Sequence, residues 1–199
     1  NFAYIGNHSH SHDYLTKFIF QKFVEDIKKS IKIFNDKLGY NPSFFSYPFG
    51  EYNLEQKNYI SKNFEFAFGQ HSGVIDLNKD RYELPRFPIN EKYGEIKRFK
   101  EVISYLPLQY KIIKPENKFM NDGENPPKMT IEFFEDQKNL ENINCFSNEG
   151  SKWRKTKIVL IENILNINFS EKFIERRGRI NCSLKDESGW RFSGFQFVQ

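Results

Sequence analysis

Seven consecutive residues, Gly6-Asn7-His8-Ser9-His10-Ser11-His12, hold three of the chain's 4 histidines. Imidazole is the commonest metal-ligating side chain and the one whose charge changes near neutral pH. Spacing decides what such a cluster can do. On a helical turn, residues four apart share a face, so His8 and His12 bind one ion while His10 points elsewhere. On an extended strand all three line one side. Both geometries keep His8 and His12 together. The other reading of the stretch is a solvated His/Ser loop that binds nothing. The pattern argues against a purification tag: Ser9 and Ser11 interrupt the run, and the apolar Phe2-Ala3-Tyr4-Ile5 precedes it.

The elements that position these histidines follow from the local pattern. Residues 2–5 read as a buried strand ended by Gly6. It delivers the loop at its C-terminal end, where α/β folds place their chemistry. A helix is expected over 15–38, with Phe20, Phe23, Val24, Ile27, Ile31, Phe34 and Leu38 recurring in steps of three and four. Gly39 and Pro42 stop it. A strand over 43–47 closes at Pro48-Phe49-Gly50. Asn53 caps a second helix reaching residue 63, and a third strand covers 64–69. This alternation implies a parallel sheet. Residues 70–90 form a loop carrying His71, Asp76, Asp80 and Arg86, stiffened at its end by Pro85 and Pro88. A third helix spans 92–105, and Pro107 breaks it.

From residue 108 the helical period gives way to short alternating runs at 109–113, 128–134, 142–146, 157–165, 179–184 and 190–198. Turn signals such as Asn148-Glu149-Gly150 and Ser188-Gly189 separate them. The expected organisation is therefore an α/β domain over 1–106, followed by an all-β, β-sandwich-like domain over 107–199. Trp190 reads as part of a last core strand, because aromatics in strands mostly pack, with a sugar platform using Trp190 or Trp153 as the other reading.

A composition of 38% hydrophobic and 28% charged residues fits a folded chain rather than a disordered one. A net charge of +4, from 30 basic and 26 acidic residues spread along the chain, argues against a nucleic-acid partner. No apolar run has the length of a membrane span. Cys145 and Cys182 read as two buried or unpaired thiols that pair only where the compartment oxidises them. The chain opens at Asn1 directly on an apolar run, as a chain beginning mid-domain does. Nothing in the sequence sets an oligomeric state.

Taken with Ser46-Tyr47-Pro48-Phe49-Gly50 and Leu84-Pro85-Arg86, the histidine loop resembles the NodB-type polysaccharide deacetylases of carbohydrate esterase family 4. Members carry an H-[ST]-x-x-H motif whose outer histidines ligate a metal, which implies His8 and His12. A groove-wall motif, R-x-P-Y in many members, is matched by Ser46-Tyr47-Pro48-Phe49, with Ser46 and Phe49 as departures. The resemblance implies that Tyr47, Pro48 and Phe49 contact substrate and that the Phe49 backbone N–H donates to the oxyanion. Arg86 is implied as the residue orienting the catalytic base. The family's L-x-H motif is not present, which leaves His71 as the candidate acid. The T-F-D-D-G strand that opens the family's domain is absent as well, so the third ligand and the base are expected upstream of Asn1.

The resemblance further implies a partial, distorted β/α barrel and a divalent ion, Zn²⁺ for a His/His/carboxylate set. It implies an N-acetylated glycan as substrate and an extracytoplasmic or cell-envelope location. Two other readings stand beside hydrolysis. One is a non-catalytic glycan-binding or scaffold protein on a degenerate esterase fold. The other is a structural metal with a β-domain that mediates assembly.

Overall fold

The computed structural model describes residues 3–121 and 123–199. The chain divides into two compact units, Asn1–Gln70 with Leu77–Pro85, and His71–Asp76 with Arg86–Gln199.

Parallel pairing organises the first unit. Strand β1 (Phe44–Ser46) pairs in parallel with β2 (Phe66–Phe68). Single parallel bridges extend this sheet on both sides, from Asn7 to Phe45 and from Phe68 to Leu84. Helices α1 (Phe20–Leu38) and α2 (Leu54–Ile60) are the crossovers. The strand expected over 2–5 contracts to the bridge at Asn7, and Phe2 lies outside the described residues. Ladder bonding starts only there: Asn7 N–H donates to Phe44 O at 2.7 Å, and Ser46 N–H to Asn7 O at 2.9 Å.

Helix α1 begins later than its periodicity predicts, because Ile19 is extended and Leu15–Lys17 forms a separate 3₁₀ turn. Gly39 ends it in the left-handed conformation, its N–H bonded to Asn35 O. The inward face carries Phe23, Val24 and Ile27, but Asp26 and Ser30 are buried there too. Helix α2 is held at its start by a reciprocal capping box between Asn53 and Gln56. Phe23, Ile27, Phe45, Tyr47, Ile60 and Ala67 are among the residues filling the core between helices and sheet.

Among the described residues the second unit holds α3 (Ile96–Ile103) and the strands β3 (Leu106–Pro107), β4 (Ile112–Lys114), β5 (Met129–Glu132), β6 (Asn144–Ser147), β7 (Arg154–Lys155), β8 (Lys157–Ile161), β9 (Ile164–Asn168), β10 (Arg177–Asp186) and β11 (Gly189–Val198). They form one sheet in the order β3-β11-β10-β6-β7 and another in the order β4-β5-β9-β8. Alternate residues from both sheets meet in one apolar cluster that includes Met129, Ile131, Leu165, Ile167, Phe195 and Phe197. The run at 157–165 is two strands rather than one, reversed at Glu162, which takes φ 53°.

Two sequence expectations are corrected here. Cys145 and Cys182 form a disulfide, because they stand directly opposite each other in the antiparallel β6–β10 register. Trp190 is not a core residue but is 48% exposed; the inward positions of β11 begin further on, at Phe195 and Phe197.

Candidate active site

The histidine loop is built around two buried polar anchors. Asn7 Oδ1 accepts from the Ser9 N–H at 2.9 Å and lies 3.1 Å from the Ser30 hydroxyl of α1. Asp26, 8% exposed on the same helix, accepts from two successive backbone donors, His10 N–H at 2.9 Å and Ser11 N–H at 3.0 Å. A carboxylate that takes two backbone N–H groups clamps the segment between them. Ser9 and His12 both take positive φ, 65° and 55°. That conformation is costly for residues with a Cβ and persists only where the surroundings fix it. The Ser9 hydroxyl contributes to this by accepting the His12 N–H at 3.0 Å.

This double reversal makes the loop neither a helix nor a strand, yet it brings His8 and His12 together. Their ring centres are 4.7 Å apart and the rings are nearly perpendicular. Both side chains are exposed. His8 Nδ1 lies 2.7 Å from Ser46 O. A carbonyl only accepts, so Nδ1 carries a proton; in the neutral ring Nε2 then holds the lone pair, the tautomer that metal-ligating histidines take when a second group holds the ring. No group of three His, Cys, Asp or Glu that could hold a metal occurs among the described residues.

The segment after β1 supplies the other wall. Phe49 takes φ 58° and Gly50 φ 68°, which turns the chain sharply after Pro48. A Cβ on Gly50 would lie 2.4 Å from Gln70 N, so this position has room only for glycine. The turn sets the Phe49 ring 5.0 Å from His12 and stacks it on Tyr14 at 4.2 Å.

A comparison with family models finds one match over this part of the chain. Residues 3–67 match the polysaccharide deacetylase family. The match supports a NodB-like deacetylase domain in the first unit, and with it a glycan substrate and hydrolysis of an amide bond. No curated protein matches the chain. No helix among the described residues is long and apolar enough to cross a membrane.

The residues implied by the motifs divide into those at the site and those beneath it. His8, His12 and Phe49 come together. Tyr47 does not: it is 1% exposed in the core, in ring contact with Phe45 and Tyr52, and Pro48 is buried as well. The Tyr47 hydroxyl has no hydrogen-bond partner among the described residues. Burial, followed by the nearby Asp80 and Glu83 carboxylates, pushes its pKa well above the usual value. Those carboxylates bind the buried Lys57 ammonium at 2.7 and 3.2 Å, and Glu83 also accepts from Tyr52. Arg86 and His71 belong to the second unit, where the Arg86 N–H donates to His71 O at 3.0 Å.

Sequence reasoning missed Asp26, Ser30 and Tyr14. A usable signal existed for the first two. Asp26 and Ser30 fall three and seven residues after Phe23, on the stripe that faces the core. A polar residue on such a stripe has a buried partner to find.

Proposed function

We propose that the protein hydrolyses N-acetyl groups of an N-acetylated glycan as a carbohydrate-esterase-family-4 enzyme. In this reading a divalent metal ion, Zn²⁺ by ligand type, is held in part by His8 and His12. The observation that carries it is the imidazole pair, 4.7 Å between ring centres, with His8 oriented by Ser46 O. Two imidazoles sharing one tetrahedral ion, with Zn–N of about 2.1 Å, stand with ring centres about 5 Å apart. The pair therefore fits two of the three protein ligands of an open catalytic site. We assign the carboxylate ligand and the base to the family's aspartate motif, which residues 1–199 do not contain.

A bound ion supplies Lewis acidity toward the acetamide carbonyl and toward water. The chain's own residues do the rest. Ser46 O holds the His8 ring, while Asp26 and the Ser9 hydroxyl hold the loop. The Phe49 N–H donates to the oxygen of the tetrahedral anion, a contact worth on the order of 3 kcal/mol in related chemistry. A backbone donor is indifferent to phenylalanine replacing tyrosine. The Phe49 ring, packed on His12, walls that side of the site. No step is given to His71 or Arg86. The Cys145–Cys182 bridge supports an oxidising, extracytoplasmic setting.

The test combines metal content with acetate release from N-acetylhexosamine oligomers by the full-length protein. His8→Ala and His12→Ala should each abolish both, while His10→Ala keeps the metal. Absence of acetate release with metal supplied would sink the reading, as would equal metal loss in all three variants. A second reading, a glycan-binding protein without turnover on the same fold, is favoured by Ser46 standing where many family members have arginine. Glycan affinity without acetate release would select it.

A further inference from the structure

The second unit carries a concave surface that the deacetylase reading does not use. The tip of the β10–β11 hairpin and the short 3₁₀ turn at Leu140–Asn142 border two adjoining clefts, of about 600 and 310 Å³. Both volumes fall within the range of roughly 300–1,000 Å³ typical of small-molecule sites. Asn139, Asp186 and Glu187 line both, so the two form one continuous depression. Trp190 lines the larger cleft and Phe134 the smaller, and they are 48% and 44% exposed.

Hydrogen bonds and an ion pair fix the rim of the depression. Asp186 accepts from the Ser188 and Gly189 N–H groups at the hairpin tip and is paired with Arg191. Asn139 sits at φ 62°, a conformation asparagine tolerates better than most residues, and its carbonyl accepts the Asn142 N–H at 3.0 Å. Lys185, the register partner of Trp190, places its ammonium 5.9 Å from the indole centre and braces it.

The lining chemistry selects a ligand class. Carboxylates and cations balance: Asp136, Asp186 and Glu187 stand against Lys138, Lys185 and Arg191. An anionic or cationic ligand meets repulsion as much as attraction there. The remaining groups are amides and a hydroxyl from Gln109, Gln137, Asn139, Asn142 and Ser188, beside an exposed indole face. Amides and carboxylates exchange hydrogen bonds with neutral hydroxyls, and a flat aromatic face covers the C–H side of a pyranose ring.

We propose that this depression binds a neutral saccharide chain, with Trp190 as the stacking platform, as an anchoring site separate from the histidine loop. That the saccharide is N-acetylated rests on the function proposed above; that it is neutral rests on the lining alone. The test uses the full-length protein carrying His8→Ala and His12→Ala, titrated with a hexamer of N-acetylglucosamine and followed by calorimetry and tryptophan emission. Turnover and the histidine-dependent metal site are then out of the measurement, so a failed deacetylase reading and a failed binding site give separate results. Saturable binding is expected, weakened about tenfold or more by Trp190→Ala and unchanged by Trp153→Ala. Glu187→Gln and Asn142→Ala should weaken it in part. The proposal is overturned if neither this hexamer nor a hexamer of unsubstituted glucose shows saturable binding, or if Trp190→Ala, folded by circular dichroism, binds as tightly as its parent; binding of the glucose hexamer alone keeps the saccharide site and counts only against the N-acetylated ligand.

Discussion

Removing the carboxylate of Asp26 tests the claim that the histidine pair is held from beneath by α1. Asp26 accepts the His10 and Ser11 N–H groups at 2.9 and 3.0 Å from a position 8% exposed to solvent. A hydrogen bond to a charged group contributes about 1.5–3 kcal/mol net, and a buried donor left unpaired costs about 1–3 kcal/mol. The two bonds share one carboxylate, so their contributions do not simply add. Asp26→Ala should therefore lose about 3 kcal/mol, read as a fall in urea midpoint with unchanged slope. Asp26→Asn is the sharper perturbation. It keeps the shape and one acceptor, but turns an NH₂ toward a backbone N–H that needs an acceptor, and should lose about 2 kcal/mol. Metal affinity in the full-length protein should fall with both variants, because Ser9 and His12 hold their positive φ only while the loop is clamped. If Asp26→Asn leaves both the urea midpoint and metal affinity unchanged, the loop is held by something else and the argument fails.

Tyr47→Phe should stabilise the protein by about 1 kcal/mol, since it removes a buried hydroxyl without a partner among the described residues; a loss of that size in urea unfolding would contradict this. Burial first, then the carboxylates of Glu83 and Asp80, raise the pKa of both Tyr47 and Tyr52 in the folded state. The unfolded chain then ionises first, near pH 10, so this stability is whole below about pH 10 and drains away as pH rises further. Urea midpoints measured from pH 7 to 11 should be flat and then fall, with a smaller fall in Tyr47→Phe. Gly50→Ala should cost about 3 kcal/mol or prevent folding, because it combines φ 68° with a 2.4 Å approach to Gln70 N. Replacing Cys145 and Cys182 together by alanine removes a closure over a sequence separation of 37 and should cost about 4 kcal/mol of unfolding free energy.

The α-β-α-β order that follows the histidine loop was legible because each helix has its stop or cap in the sequence, Gly39 for α1 and Asn53 for α2. Tyr47 was misplaced although the information was present. In an extended segment, residues two apart share a face, and Phe45 and Tyr47 are both inside the core. The groove-wall motif and the strand alternation therefore point Tyr47 in opposite directions, and the alternation wins. Glu162 hid the β8–β9 hairpin because it takes positive φ without being glycine or asparagine. The pairing of Cys145 with Cys182 depends on strand register, which a sequence separation of 37 does not reveal. The clamp at Asp26 was legible only as a carboxylate on a core stripe; its two partners are backbone groups, which carry no sequence signal.

The Cys145–Cys182 bridge spans the stretch that contains β7, β8 and β9, so the covalent loop encloses a strand from one sheet and a hairpin from the other. Protease cleavage at the exposed Glu162 tip would not release a fragment. The nicked chain would migrate as a single species without reductant and as two pieces with it. Limited digestion run both ways thus reports, in one gel, whether a given preparation has its thiols joined.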